Sequence, residues 1–173
     1  MSDHALEFIQ HLQSLAQKNR GALAALRRSA GFAPGTYPPA FPHVERFVPA
    51  SSHAEDSYRL ALYVTAALFA RHPQHMAGQS LATTLGRLIS ARDSGSIEQR
   101  FVALLAADAE DVPQYLRQLV SLLAADGHGL DYASLLQDLS AYLRPSQFDG
   151  RDDRNKVRQR WARDFYRQLT TQA

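Results

Sequence analysis

DRNKVRQRWARDFYRQL, residues 153–169, carries two helical registers at once. Val157, Trp161, Phe165 and Leu169 recur every four residues and make the apolar stripe of an amphipathic helix. Lys156, Arg160, Arg163 and Arg167 follow at i, i+4, i+7 and i+11 and make a basic stripe on the opposite side. A strand would alternate its side chains at period two, so this stretch is a helix. Trp161 stands at the middle of the apolar stripe and is predicted to be a core anchor, not a base-stacking platform. Arg158 breaks the pattern. At about 100° per residue it falls inside the apolar arc. It is expected either to be buried against an acid or to belong to a contact face where arginine and aromatics work together. Arg154 lies on the same side, one turn earlier.

Working outward, the same periodicity predicts helices over residues 3–17, 22–30, 56–71, 80–90, 97–107, 112–124 and 131–143. Asn19, Ser96 and Asp111 read as N-caps, whose side chains accept from free amides of the first turn. Pro113 then falls where proline is tolerated. Gly31 ends the second helix, and Gly127 and Gly129 mark a stop and a turn. Residues 31–50 differ. Pro34, Pro38, Pro39, Pro42 and Pro49 forbid a regular helix, while Phe32, Tyr37, Phe41, Phe47 and Val48 are interleaved among them. That many large apolar groups predict an ordered loop pinned to the helices. No segment alternates long enough to require a strand. The expected fold is all-α: a helical bundle in two packed subdomains, with the Pro-rich ordered loop between early helices. A single domain over 3–170 would hold an N-terminal helical part to about residue 90 and a C-terminal bundle over about 95–170.

The 173 residues suit one compact domain, and a composition of 45% hydrophobic and 21% charged residues supplies a core. The chain has no cysteine, which excludes disulfides, thiolate metal sites and cysteine nucleophiles. Acidic Asp3 and Glu7 stand where a signal peptide would be basic. The apolar run Leu60 to Ala70 is far below the roughly 20 residues of a membrane span. A cytoplasmic protein with no membrane partner is expected. The net charge of +2 conceals an uneven distribution, and 17 of the 19 basic residues are arginine. Residues 8–44 carry Lys18, Arg20, Arg27 and Arg28 with no acid; residues 93–138 sum to −6; residues 144–167 sum to +4. Two basic ends that met in space would make a basic face suited to phosphates.

Catalytic signatures are lacking. His72 and His75 form an HxxH, but Pro73 interrupts any helix between them and spacing indicates no third ligand. His72 reads as a residue near a helix C-terminus, where it suits the dipole. Asp108, Glu110 and Asp111 cluster as Mg²⁺ ligands can, yet they sit at a helix boundary where Asp111 is wanted as a cap. There is no GxSxG elbow, Walker A loop or GxGxxG. A non-enzymatic protein without cofactor or metal is expected.

The order of segments resembles a known family. NRGALAALRRS at 19–29, LYVTAALFARHP at 62–73, SLATTLGRLIS at 80–90 and SIEQRFVALLAAD at 96–108 are followed by YLRQLVSLL at 115–123, LDYASLLQDL at 130–139 and KVRQRWARDFY at 156–166. Their joint order is similar to the CasB family, the small subunit of the type I-E CRISPR Cascade complex, over nearly the whole chain. The resemblance implies an all-α, non-catalytic subunit of a ribonucleoprotein. Its implied partners are the backbone and large subunits, a second copy of itself, CRISPR guide RNA and target DNA with its displaced strand. Arg27 and Arg28 match the family's RR pair, and Lys156 and Arg158 its basic positions in the last helix. Arg87, Arg100 and Arg117 fall in matching helices. The Pro-rich loop at 33–50 and the segment 144–155 align poorly, so nothing is carried onto them. The expected nucleic-acid-binding set is Lys18, Arg20, Arg27, Arg28, Arg87, Arg100, Arg117, Arg154, Lys156, Arg158, Arg160 and Arg163, on a surface stripe that follows a strand. The alternative is a helical adaptor whose arginines meet acidic protein surfaces.

Overall fold

Val157, Trp161 and Phe165 are all buried in the computed structural model, which describes residues 3–92, 95–145 and 152–170. The helices are α1 (Asp3–Lys18), α2 (Arg20–Ser29), the single turn α3 (Phe41–Val44), α4 (Ser57–Arg71), α5 (Leu81–Arg92), α6 (Gly95–Ala106), α7 (Val112–Ala125), α8 (Tyr132–Tyr142) and α9 (Asp153–Thr170). Among the described residues the one extended pairing is an isolated bridge between His75 and Leu130. The fold is an all-α bundle. Asp93, Asp149 and Arg151 lie outside the described residues.

The centre is α4. Every residue from Ala61 to Ala70 is buried, as expected for a helix apolar on all sides. It packs against α8, α2 and α7. The apolar stripe of α9 lies along α5 and α8, with Phe165 stacked on Phe101 of α6 at 4.0 Å between centroids. One continuous cluster of buried side chains joins all of these helices. The backbones of α5 and α9 approach so closely at Gly86 that a Cβ there would sit 2.6 Å from the Phe165 carbonyl oxygen.

Between α2 and α4 the Pro-rich loop is ordered as expected. Two short 3-10 turns, Pro38–Ala40 and Glu45–Phe47, flank α3. Pro42 stands in the first turn of α3, where a missing amide leaves no bond unmade, so the prolines permit a single helical turn that the sequence reading excluded. Ala40 and Val44 are fully buried, and Phe47 meets Phe8 edge-on at 5.0 Å. Arg59 holds the loop from α4, donating to Glu45 at 2.6 Å and to the Gly35 carbonyl at 3.2 Å. Tyr63 donates its hydroxyl to the same Glu45 carboxylate at 2.6 Å. Burial pushes that carboxyl up, but the bonds from Tyr63 and Arg59 outweigh it and leave Glu45 below its ordinary range. Phe32 departs from the expectation for this loop: it is 54% exposed.

The caps are mixed. Asn19 accepts from the Ala22 amide at 2.9 Å, as read from the sequence. Ser96 does not precede its helix, since α6 already begins at Gly95. Asp111 takes a helical conformation and its side chain caps nothing; the Asp108 carbonyl receives the Asp111 and Val112 amides instead.

Candidate nucleic-acid interface

The arginines sort by what already holds them. At the end of α2, Arg27 donates Nε and Nη2 to the Ala70 carbonyl, at 3.1 and 3.0 Å. From α7, Arg117 donates Nη1 to the Ala30 carbonyl at 3.2 Å. Each thus meets a helix C-terminal carbonyl that has no intrahelical donor, where a cation is also favoured by the dipole.

Beside them, Arg71 at the end of α4 and Arg100 on α6 join Arg117 around an open groove of about 490 Å³, completed by Gln118, Ser121 and Leu122. Among the described residues three guanidinium groups line it and no carboxylate does. Arg71 and Arg100 are exposed and have no hydrogen bond or ion pair among the described residues. The same holds for Lys18, Arg20 and Arg28 around the start and end of α2. Guanidinium groups with free N–H donors around such a groove can donate to phosphate oxygens.

On α9 the basic residues are mostly spoken for. Arg154 donates Nε to the Tyr142 carbonyl at 3.0 Å. Arg158 is neither paired with an acid nor laid on an open face. Its Nε donates to the Tyr142 hydroxyl at 3.0 Å and its Nη2 to the Ala107 carbonyl at 2.8 Å. Both guanidinium groups stand over the Tyr142 ring, 5.6 and 5.4 Å from its centroid. Lys156 pairs with Asp153 at 3.3 Å, and Arg160 with Asp138. These four line a second groove, of about 390 Å³, between α8 and α9, so the basic stripe is locally balanced by acids. Arg87 donates to Gln168 and Gln79. Arg163 is exposed and unpartnered among the described residues. The two basic ends of the chain stand on different supports: α2 on α1 and α4, α9 on α5 and α8.

Trp161 is 1% exposed and is the core anchor its register predicts. Its indole N–H donates to Asp138 at 2.6 Å. Burial raises the Asp138 carboxyl above its ordinary range, and the bonds from Trp161 and Arg160 only partly offset this. The sequence reading missed Asp138, although a buried indole N–H demands an acceptor. Arg71, which the sequence marks only as the end of a helix, is a further omission.

The two histidines of the HxxH hold structural contacts. His72 is buried, its Nε2 2.7 Å from the His128 carbonyl oxygen, and the Tyr132 amide donates to His75 Nδ1 at 3.2 Å. Among the described residues no three His, Asp or Glu side chains are grouped to hold a metal ion, and no helix is long and apolar enough to cross a membrane.

Fold and surface define a small helical-bundle protein with an arginine-lined groove. The family described as CRISPR-associated protein Cse2 matches residues 22–166. A CRISPR-associated protein Cse2 from Thermus thermophilus is 39% identical over 93% of this chain and 87% of its own. The crystal structure of CasB from Thermus thermophilus superposes with a TM-score of 0.77 at 38% identity, covering 96% of this chain and 99% of that one. A chain of a CRISPR RNA-guided surveillance complex shares the fold at 24% identity and a TM-score of 0.77, with 97% and 94% covered. This chain belongs to the CRISPR-associated Cse2, or CasB, family.

Proposed function

We propose that this protein is a non-catalytic subunit of a type I-E CRISPR surveillance ribonucleoprotein, Cascade, that holds single-stranded nucleic acid during R-loop formation. The observation that carries the proposal is the convergence of Arg71, Arg100 and Arg117 on one open groove with no carboxylate among the described residues of its lining. Family membership and the shared fold of a chain from an RNA-guided surveillance complex support it. Opening a duplex against a guide exchanges one set of base pairs for another and is nearly balanced. A subunit that neutralises phosphates on the displaced strand therefore favours the open state without reading sequence. Its partners would be the backbone and large subunits, guide RNA, target DNA and a second copy of itself.

Phosphate contacts belong first to Arg28, Arg71, Arg100 and Arg117, then to Lys18, Arg20 and Arg163. Arg154 and Arg158 serve instead to hold α9 to α8 and to the loop after α6. A salt titration of single-stranded DNA binding tests this. Arg71→Ala with Arg100→Ala should weaken binding equally for all sequences. It should also flatten the log–log salt dependence by about 0.7 for each phosphate that the variant no longer neutralises. An unchanged slope would refute the groove and favour the adaptor, with these arginines facing acidic protein surfaces.

A further inference from the structure

The turn after α2 carries an aromatic pair whose outer ring, Phe32, stands outside the buried core. Phe32 stacks on Tyr37 with 4.6 Å between centroids and 26° between planes. Tyr37 is itself packed against the core, so the Phe32 ring is held from one side. Phe32 is more than half exposed, the largest exposure among the bulky apolar residues described. A ring fixed from behind and open in front is the form of a stacking platform.

Its position matters as much as its exposure. Phe32 lies two residues beyond Ala30, whose carbonyl accepts from Arg117. Phe32 and Arg117 line the same cleft beside α4, together with Val64, Ala67 and Pro113. Arg117 also lines the arginine groove. One arginine therefore separates the phosphate-binding groove from the exposed ring. Base and phosphate share one sugar, so a strand whose phosphate meets Arg117 has a base within reach of Phe32. The charge around the ring selects the same occupant. Among the described residues Arg28, four residues earlier at the end of α2, is exposed and unpartnered, and neither the cleft nor the groove is lined by an acid.

We propose that Phe32, backed by Tyr37, stacks on one unpaired base of the strand whose phosphates occupy the Arg71–Arg100–Arg117 groove. This rests on the nucleic-acid reading of that groove. The contact is indifferent to base identity, because every base presents a π-face. It distinguishes an opened strand from a duplex, whose bases are already stacked on one another.

The test uses the full-length chain and two probes of equal length, an oligothymidylate and an abasic strand. Both carry the phosphates; only the first carries bases. The wild type should prefer the base-bearing strand by roughly fivefold or more, the range of a single base–aromatic contact. Phe32→Ala should abolish that preference and Phe32→Trp should keep it. Affinity for the abasic strand and the salt slope should be the same in all three. Phe32→Leu separates stacking from simple apolar contact: a leucine that binds as well as tryptophan overturns the platform. So does a preference that persists in Phe32→Ala, or a variant impaired only in joining a protein partner. Salt-dependent binding that ignores Phe32 removes the platform and leaves the groove standing. No salt-dependent binding to either probe removes both.

Discussion

Asp138 is a buried carboxylate between two donors, the Trp161 indole and the Arg160 guanidinium. Its pKa is raised, with burial the leading cause. An acid that titrates higher when folded than when unfolded contributes its full stabilisation below its ordinary value of 3.8 and loses it as pH rises through the folded value. Asp138→Asn, which stays neutral, removes that dependence. The melting temperature of the wild type, measured against this variant, should therefore fall as pH rises from about 3.8 toward neutrality. A wild type that gains on the variant over that range would show that pairing with Arg160 outweighs burial. At this scale the sequence was partly legible. The four-residue step of Val157, Trp161 and Phe165 sufficed to bury Trp161. Arg158 inside the same arc signalled something unusual, but its partners, a phenol on α8 and a carbonyl after α6, are brought to it only by tertiary packing.

Among the elements, α5 and α9 depend on one position. At Gly86 an added Cβ would lie 2.6 Å from the Phe165 carbonyl oxygen and 2.9 Å from the Gln168 Cβ. The first is backbone and cannot swing aside, so the whole of α9 must move. Gly86→Ala gains up to about 1 kcal/mol in helix propensity, yet overpacking of this kind costs about 1–3 kcal/mol. The variant should be less stable in urea denaturation, against the usual effect of this exchange in a helix. A stabilised variant would mean that the two helices separate without penalty. Helix positions were readable from periodicity, and the ends fall within a residue or two of the expected bounds. Cap chemistry was less so. Asn19 caps α2, but at Asp111 a helical backbone turns the candidate side chain away from the first amides. The Pro-rich loop was legible as ordered, because its aromatics had to pack. Its anchoring by Arg59, reaching Glu45 and Gly35 from a different helix, left no local trace in the sequence.

For the molecule as a whole, the cluster of buried side chains runs without interruption from α1 to α9. Both the α4–α8 and the α5–α9 contacts cross the boundary expected near residue 90. Unfolding should consequently be a single transition. Trp161 is the sole tryptophan and reports the packing of α9 on α8, whereas far-ultraviolet circular dichroism reports every helix. The two denaturation curves should coincide, and a separation between them would reveal halves that unfold independently. The arginine groove was the least legible feature. Summing charge along the chain drew attention to the two basic ends and away from the acidic middle, yet Arg100 and Arg117 come from that middle and Arg71 from an apolar helix. Only the meeting of three helices makes them neighbours.

Arg27 and Arg117 rest against the carbonyls of Ala70 and Ala30. A flexible arginine that captures a phosphate from solution must surrender rotamer freedom of about 0.5–1.5 kcal/mol per side chain. Here most of that freedom was given up when the chain folded, and each guanidinium has more N–H donors than its carbonyl partner occupies. The two helix ends are therefore a rigid mount for positive charge, and a strand bound in the proposed groove would meet Arg117 without rearranging it.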